Sequence, residues 1–244
     1  MKISVCIPMY NEAAVIAKTA MRLSESLERE FGRDKTGAPD YEIIFADDGS
    51  SDGSADVVNS LHLDGVRVIS YSPNRGKGYA VRTALLESEG DIAMFTDADL
   101  AYGTEVIKTF YNRFLIDPET EVAIGSRNLT DEGYEGYSFI RKLASKTYLK
   151  VLALAGGFRL SDSQCGCKAF SHKAIGMIFP RCEVDRFAFD FEALLWAQKL
   201  GLKIGEIPVK VMVHGESKVH LFRDTFRMLR DLRKMKKRIA ESEI

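Results

Sequence analysis

The apolar positions in the first half of the chain fall into short continuous runs separated by helical patterns. Ile3 to Ile7 reads as a first strand ended by Pro8. Tyr41 to Ala46, Val66 to Tyr71, Ile92 to Thr96 and Glu121 to Gly125 read as four more. Between them, Ala13 to Glu30 carries Val15, Ile16, Met21, Leu23 and Leu27 at approximate helical spacing. Further helices are predicted near Gly53–Leu63 and Gly78–Ser88. Phe31 to Asp40, rich in Gly, Asp and Pro, is a surface loop. This alternation predicts an α/β fold with a mostly parallel sheet and helices on both faces.

After Arg127 the pattern changes. Leu129 to Gly136 is a polar, Gly-containing loop. Phe139 to Ala155 reads as a helix with a very apolar second half, which suits either a core helix or one touching a membrane. Phe189 to Leu200 is another helix and Lys203 to Val209 another strand. From Val219 the chain is helical and basic. Leu221, Phe222, Phe226, Leu229 and Leu232 recur at roughly helical spacing among Arg223, Arg227, Arg230, Arg233, Lys234, Lys236, Lys237 and Arg238. A basic amphipathic helix is the pattern of a membrane-surface anchor, and also of a helix docked on the domain with a solvated charged face. The chain divides into residues 1–218, with halves 1–127 and 128–218, and a tail 219–244.

Composition narrows the class. The formal net charge of −1 argues against a nucleic-acid binder. Four scattered cysteines are no disulfide framework and make a reduced, cytoplasmic setting the expectation. The expectation is that no secretory signal precedes the first strand, and no apolar run reaches the roughly 18 residues of a spanning helix. A protein lying on a membrane fits; one crossing it does not. Cys165-Gly166-Cys167 lacks zinc-ribbon spacing and reads as buried thiols.

Candidate chemistry gathers where strands end. Asp97-Ala98-Asp99 follows the fourth strand, where ligands sit in open α/β sheets. Two carboxylates one residue apart can share a hard divalent cation with a diphosphate. A nucleotide-linked substrate is the expectation. Asp47-Asp48-Gly49-Ser50 ends the second strand and suits either a base or ribose contact or a turn with a helix cap. Asn74-Arg75-Gly76-Lys77-Gly78 opens a helix, where glycines and a helix N-terminus favour phosphate, though a solvated basic turn has the same composition. Arg127 ends the fifth strand. Arg141 and Ser145 share a helix face, and an Arg pair with a hydroxyl suits a phosphate.

In combination these motifs resemble the inverting family 2 glycosyltransferases of the GT-A fold. The match runs through Ile7-Pro8-Met9-Tyr10-Asn11-Glu12, the Asp47 and Asn74 motifs and Asp97-Ala98-Asp99. The second half is similar to dolichyl-phosphate glucosyltransferases and their prokaryotic polyprenyl-phosphate relatives, through Gly125-Ser126-Arg127, Asp162-Ser163-Gln164-Cys165-Gly166, Lys168, Arg186-Phe187-Ala188-Phe189-Asp190 and Glu216-Ser217-Lys218-Val219.

The resemblance implies roles. Pro8, Tyr10, Glu12, Asp47 and Asp48 would serve the nucleoside pocket, with Arg75 and Lys77 near the base and diphosphate. Asp97 and Asp99 would meet the sugar nucleotide and Mg2+ or Mn2+, Asp99 being the stronger ligand. Arg127, Arg141, Ser145 and Lys218 would meet the acceptor phosphate, and Ser217 would contact substrate. Asp162 and Gln164 would border the sugar, and Arg186, Phe189 and Asp190 would shape its pocket. Ala101 stands where related mannosyltransferases often carry a metal-assisting Gln. The implied reaction moves a hexose, glucose from UDP-glucose before a GDP-sugar, to a polyprenyl phosphate at the cytoplasmic face of a membrane. A hydroxyl acceptor, with Asp162 or Asp190 as base, and a non-catalytic nucleotide-sugar binding module are the alternatives.

Overall fold

The computed structural model describes residues 1–134, 157, 160–186, 188–212 and 232–242. Seven strands form one sheet: β1 Ile3–Met9, β2 Tyr41–Asp47, β3 Val66–Ser70, β4 Ile92–Phe95, β5 Val122–Ser126, β6 Lys168–Ser171 and β7 Ile204–Pro208. Their order across the sheet is β3-β2-β1-β4-β6-β5-β7. β1 pairs in parallel with β2, from Ile3↔Tyr41 to Met9↔Asp47, and with β4, from Ile3↔Ile92 to Cys6↔Phe95. β6 is antiparallel to both β4 and β5, and β7 returns parallel to β5. The sheet is therefore mostly parallel, as the alternation predicts.

The helices are α1 Ala13–Phe31, α2 Ser54–Ser60, α3 Lys77–Leu86, α4 Glu105–Ile116, α5 His172–Ile178 and α6 Phe189–Lys199. They cover the sheet on two sides, and the core splits accordingly. One cluster joins Ile3, Val5 and Ile7 of β1 to Ile16, Leu23 and Leu27 of α1 and Phe110 of α4. The other joins Cys6 and Phe95 to Ala80, Val81 and Leu85 of α3 and Phe191 and Leu194 of α6. Each fully buried Leu, Ile or Phe contributes ~1.5–3 kcal/mol. Burial on both faces is why the strands read as continuous apolar runs rather than alternating ones.

Four elements differ from the sequence pattern. β1 continues through Pro8 to Met9. β4 pairs with β1 only as far as Cys6, so beyond that point β1 has one neighbour, and the missing Pro8 N–H costs no ladder bond on the other side. Residues 105–116, unassigned by the alternation, form α4 and bury Ile107, Phe110 and Phe114. β6 and α5 are also unassigned by it; Ser171 caps α5 by accepting from Ala174 N at 3.0 Å.

The described end of the tail, residues 232–241, is helical. Its Leu232, Met235 and Ile239 are buried in the α3–α6 cluster. Leu232, counted in the apolar stripe of a surface anchor, therefore faces the domain core. The anchor's other apolar positions, Leu221, Phe222, Phe226 and Leu229, lie outside the described residues, as do the helix expected over Phe139–Ala155 and Phe187. Among the described residues no helix is long and apolar enough to cross a membrane.

Candidate active site

The carboxyl ends of β1, β2 and β4 lie side by side. Chain order runs outward from β1 to β2 and β3, then crosses to β4 on β1's other flank. This reversal is the place where open α/β sheets bind ligands. The loop after β1 is tied to the loop after β2: Ser51 N donates to Asn11 Oδ1 at 2.9 Å, and Glu12 N donates to Ser54 Oγ at 2.8 Å. Tyr10 is half exposed on this rim, with Pro8 and Glu12 partly buried beside it.

The two acids after β2 are buried and serve backbone groups. Asp47 Oδ1 accepts from Ser50 N at 3.1 Å. Asp48 accepts from Arg75 N and Gly76 N, each at 2.8 Å, one per oxygen. Asp48 thus shapes the turn that opens α3. A Cβ on Gly49 would come within 3.0 Å of Asn74 N, so only glycine lets the two turns touch.

Within that turn, the Arg75 guanidinium lies 3.6 Å over the Tyr79 ring. Lys77, the first residue of α3, donates from Nζ to Asp97 Oδ1. Desolvation works against the Lys77 charge, but Asp97, Asp190 and Asp99 prevail and hold its pKa above the usual lysine value. Asp99 is exposed, and its Oδ1 accepts from Ala101 N at 3.0 Å. Desolvation and the Asp97 charge raise the Asp99 carboxyl above its ordinary range. Ala101 contributes backbone alone, since its carbonyl also accepts from Met212 N at 2.7 Å.

Behind these acids stand two ion pairs with buried carboxylates. Asp190 accepts from Lys168 Nζ at 2.6 Å, and the same ammonium donates to Cys165 O at 2.6 Å. Burial pushes the Asp190 carboxyl up, against the pull of Lys168. Phe189 is buried against Phe95, with ring centroids 5.5 Å apart. Asp162, fully buried, accepts from Arg127 Nε at 2.6 Å and Nη2 at 2.9 Å. That edge of the Arg127 fork, expected at an acceptor phosphate, is turned on Asp162. Desolvation opposes the Arg127 charge, yet Asp162 drives its pKa well above the usual value. Gln164 donates its backbone N to Asp162 at 3.3 Å; its Nε2 is buried with no partner among the described residues. Arg186 is exposed beside Gly76. Arg141, Ser145, Ser217 and Lys218 lie outside the described residues.

Two features escape the sequence pattern. A Cβ on Gly166 would stand 2.6 Å from Asp97 Oδ2, so this glycine backs the acidic motif. Cys165 and Cys167 flank it as buried free thiols, as their spacing suggests. Asp185 accepts from Arg82 Nη2 at 2.6 Å and holds a second loop against α3. No spacing signals that contact. A separate cleft of about 470 Å3 opens at the opposite end of the strands, among Asp91, Glu121 and Lys173. Its acids are engaged: Glu121 accepts from Lys173 and Asp91 from Lys2 N.

A model of the family described as Glycosyl transferase family 2 matches residues 4–179. The chain belongs to this family. The glycosyltransferase is 31% identical to dolichyl-phosphate beta-glucosyltransferase of Saccharomyces cerevisiae, over 94% of this chain and 72% of that protein. It is 32% identical to the protein of the same name from Homo sapiens, over 95% of this chain and 74% of that one. Among solved structures it is similar to glucosyl-3-phosphoglycerate synthase of Mycobacterium tuberculosis, crystallised with Mn2+, UDP-glucose and glycerol 3-phosphate. The TM-score is 0.68 at 20% identity, covering all of this chain and 81% of the other. The glycosyltransferase has the GT-A fold.

Proposed function

We propose that the protein is an inverting, divalent-cation-dependent hexosyltransferase moving glucose from UDP-glucose to a polyprenyl or dolichyl phosphate. One observation carries the choice of acceptor. Both carboxylates eligible as a base toward a hydroxyl are engaged by cations, Asp162 by the partly buried Arg127 and Asp190 by the buried Lys168. A hydroxyl acceptor needs a base to take its proton. A phosphate has its second ionisation near pH ~6 by analogy with phosphoamino acids, so at neutral pH it is already nucleophilic. The names of the relatives, dolichyl-phosphate beta-glucosyltransferases, support the same acceptor and sugar.

Asp97 and Asp99 fit Mg2+ or Mn2+. Among the described residues no three His, Cys, Asp or Glu groups form a cage of their own. Two hard carboxylates completed by substrate phosphates are a usual magnesium donor set. Such a cation, when bound, neutralises charge developing on the leaving diphosphate. The remaining work falls to the chain. Lys77 brings positive charge to the diphosphate from the start of α3, whose N-terminus favours anions. The orphan Gln164 amide is suited to a sugar hydroxyl. The acceptor oxygen bonds to the anomeric carbon as the bond to the diphosphate breaks on the opposite face, so configuration inverts.

We assign Arg141, Ser145, Ser217 and Lys218 to the acceptor phosphate. Residues 219–231 would hold the enzyme on the cytoplasmic face of a membrane, each Lys or Arg adding about 1 kcal/mol near an anionic leaflet. The test is transfer of labelled sugar from a panel of UDP- and GDP-sugars into polyprenyl phosphate, with and without Mg2+. Cation-dependent lipid-phase label from UDP-glucose is expected. Label released only to water would discard the lipid acceptor, and no turnover with any donor would discard the enzyme.

A further inference from the structure

Glu192 lies on α6, fully buried, with a carboxylate committed in two directions. Its Oε2 accepts from Glu183 N at 2.9 Å and Val184 N at 2.7 Å. Its Oε1 accepts from Arg238 in the C-terminal helix, and Arg238 donates its other terminal nitrogen to the Glu183 carboxylate. A buried carboxylate with two backbone donors and one guanidinium is a rigid junction, because each bond is charge-assisted. The helix bearing Arg238 is itself fixed. Leu232, Met235 and Ile239 are buried in the core, and Lys199 Nζ donates to Ser242 O at 2.5 Å.

From that junction the loop 182–186 reaches the turn that opens α3. Arg82 donates to Cys182 O at 2.8 Å and to Asp185 Oδ1 at 2.6 Å. Tyr79 N donates to Asp185 O at 3.1 Å. The fit is close: a Cβ on Gly76 would stand 2.5 Å from Asp185 O, and one on Gly78 would stand 2.7 Å from Val184 O. Lys77 lies between those glycines. Its position therefore depends on where the loop sits, and the loop depends on Glu192.

We propose that Glu192 is a positioning residue that joins the C-terminal helix to the donor-side turn, so that residues 232–241 set the affinity for the nucleotide-sugar. The proposal rests on the donor reading given above for Lys77. Arg238→Met removes the helix from the junction while leaving every donor-site side chain in place.

The experiment uses the full chain and two readouts: UDP affinity by calorimetry in Mn2+, and amide hydrogen exchange at Tyr79. Arg238→Met should weaken UDP binding about tenfold, equivalent to ~1.4 kcal/mol, and speed exchange at Tyr79. The KM for the sugar donor should rise while kcat at saturation stays nearly constant. Arg238→Lys should recover most of the loss, which a role in bulk stability alone does not predict. Glu183→Gln, at an exposed carboxylate, should shift both readouts the same way by less, and it alone decides if Arg238→Met does not fold. Unchanged UDP affinity in the folded variants overturns the proposal. A wild-type chain that binds no UDP fails the donor reading instead, and the Tyr79 exchange then decides whether helix and turn are coupled.

Discussion

The guanidinium of Arg127 closes as a fork on the carboxylate of Asp162, Nε to Oδ2 at 2.6 Å and Nη2 to Oδ1 at 2.9 Å. Arg127 follows β5 and Asp162 precedes β6, so the pair ties the loops at these neighbouring strand ends together. Asp162 is fully buried, and losing one member of a buried pair costs up to about 3–5 kcal/mol. Asp162→Asn should therefore lose several kcal/mol in denaturant unfolding. The folded fraction should keep the wild-type pH profile of turnover. A lost acid limb in that profile would restore Asp162 as a base.

Lys77 answers to a different charge. Its ammonium sits on Asp97, with the Asp190 and Asp99 charges nearby. Lys77→Met should lower kcat/KM for the sugar donor by about 100-fold, the scale for removing one preorganised donor from a developing anion. Thermal stability should change little, since the Lys77 and Asp97 side chains are both partly exposed. A variant with full kcat/KM would remove Lys77 from the diphosphate.

These two contacts mark how far the sequence could be read. β1, β2 and β4 are legible because helices cover both faces of the sheet, which leaves unbroken apolar runs such as Ile3 to Ile7. Asp97 and Asp99 are legible because they follow such a run. α4 shows only Ile107, Phe110 and Phe114 as its buried stripe, a weaker signal within a polar stretch. β6 is four residues long and begins with Lys168, whose burial makes sense only beside Asp190, 22 positions away. The tasks of Asp48 and Glu192 depend on backbone N–H groups of distant loops, and nothing in side-chain spacing reports those.

Asp99 gives the site a pH dependence. Desolvation and the charge of Asp97 raise its carboxyl above the ordinary range. Its ionised form opposes folding above the unfolded pKa, and protonation relieves that as pH falls. Cation binding needs the ionised form, so it is present above the raised pKa and is lost as pH falls through it. Mn2+ affinity in the presence of UDP should fall as pH is lowered, starting at a higher pH than an unshifted carboxylate would set. Asp99→Asn should bind Mn2+ weakly and with a flatter profile. A wild-type profile that matches the variant's would remove Asp99 from the cation.

The thiols should be silent in the native state. Cys6, Cys165 and Cys167 are buried and unbonded. Burial and the charge of Asp162 push the Cys165 thiol up to about 11, and burial takes Cys182 to about 12. A thiolate is the reactive form. A disulfide-exchange reagent near neutral pH should find almost no fast-reacting group until denaturant is added, when all four cysteines of the chain should titrate. A fast equivalent mapped to Cys165 or Cys167 in the native protein would contradict the packing around Gly166.

Gly166 offers the sharpest separation of site from fold. A methyl group there would stand 2.6 Å from Asp97 Oδ2 and 3.4 Å from Asp97 Cγ. The atoms it meets are the end of a side chain, which can swing aside without moving the backbone. Gly166→Ala should thus leave the unfolding midpoint nearly intact. It should pull Asp97 from its contact with Lys77. Donor affinity should fall about tenfold, or ~1.4 kcal/mol, and Gly166→Ser should lose at least as much. Normal affinity in a folded Gly166→Ala enzyme would mean that Asp97 can act from more than one position, and that its tight seat against Gly166 serves packing alone.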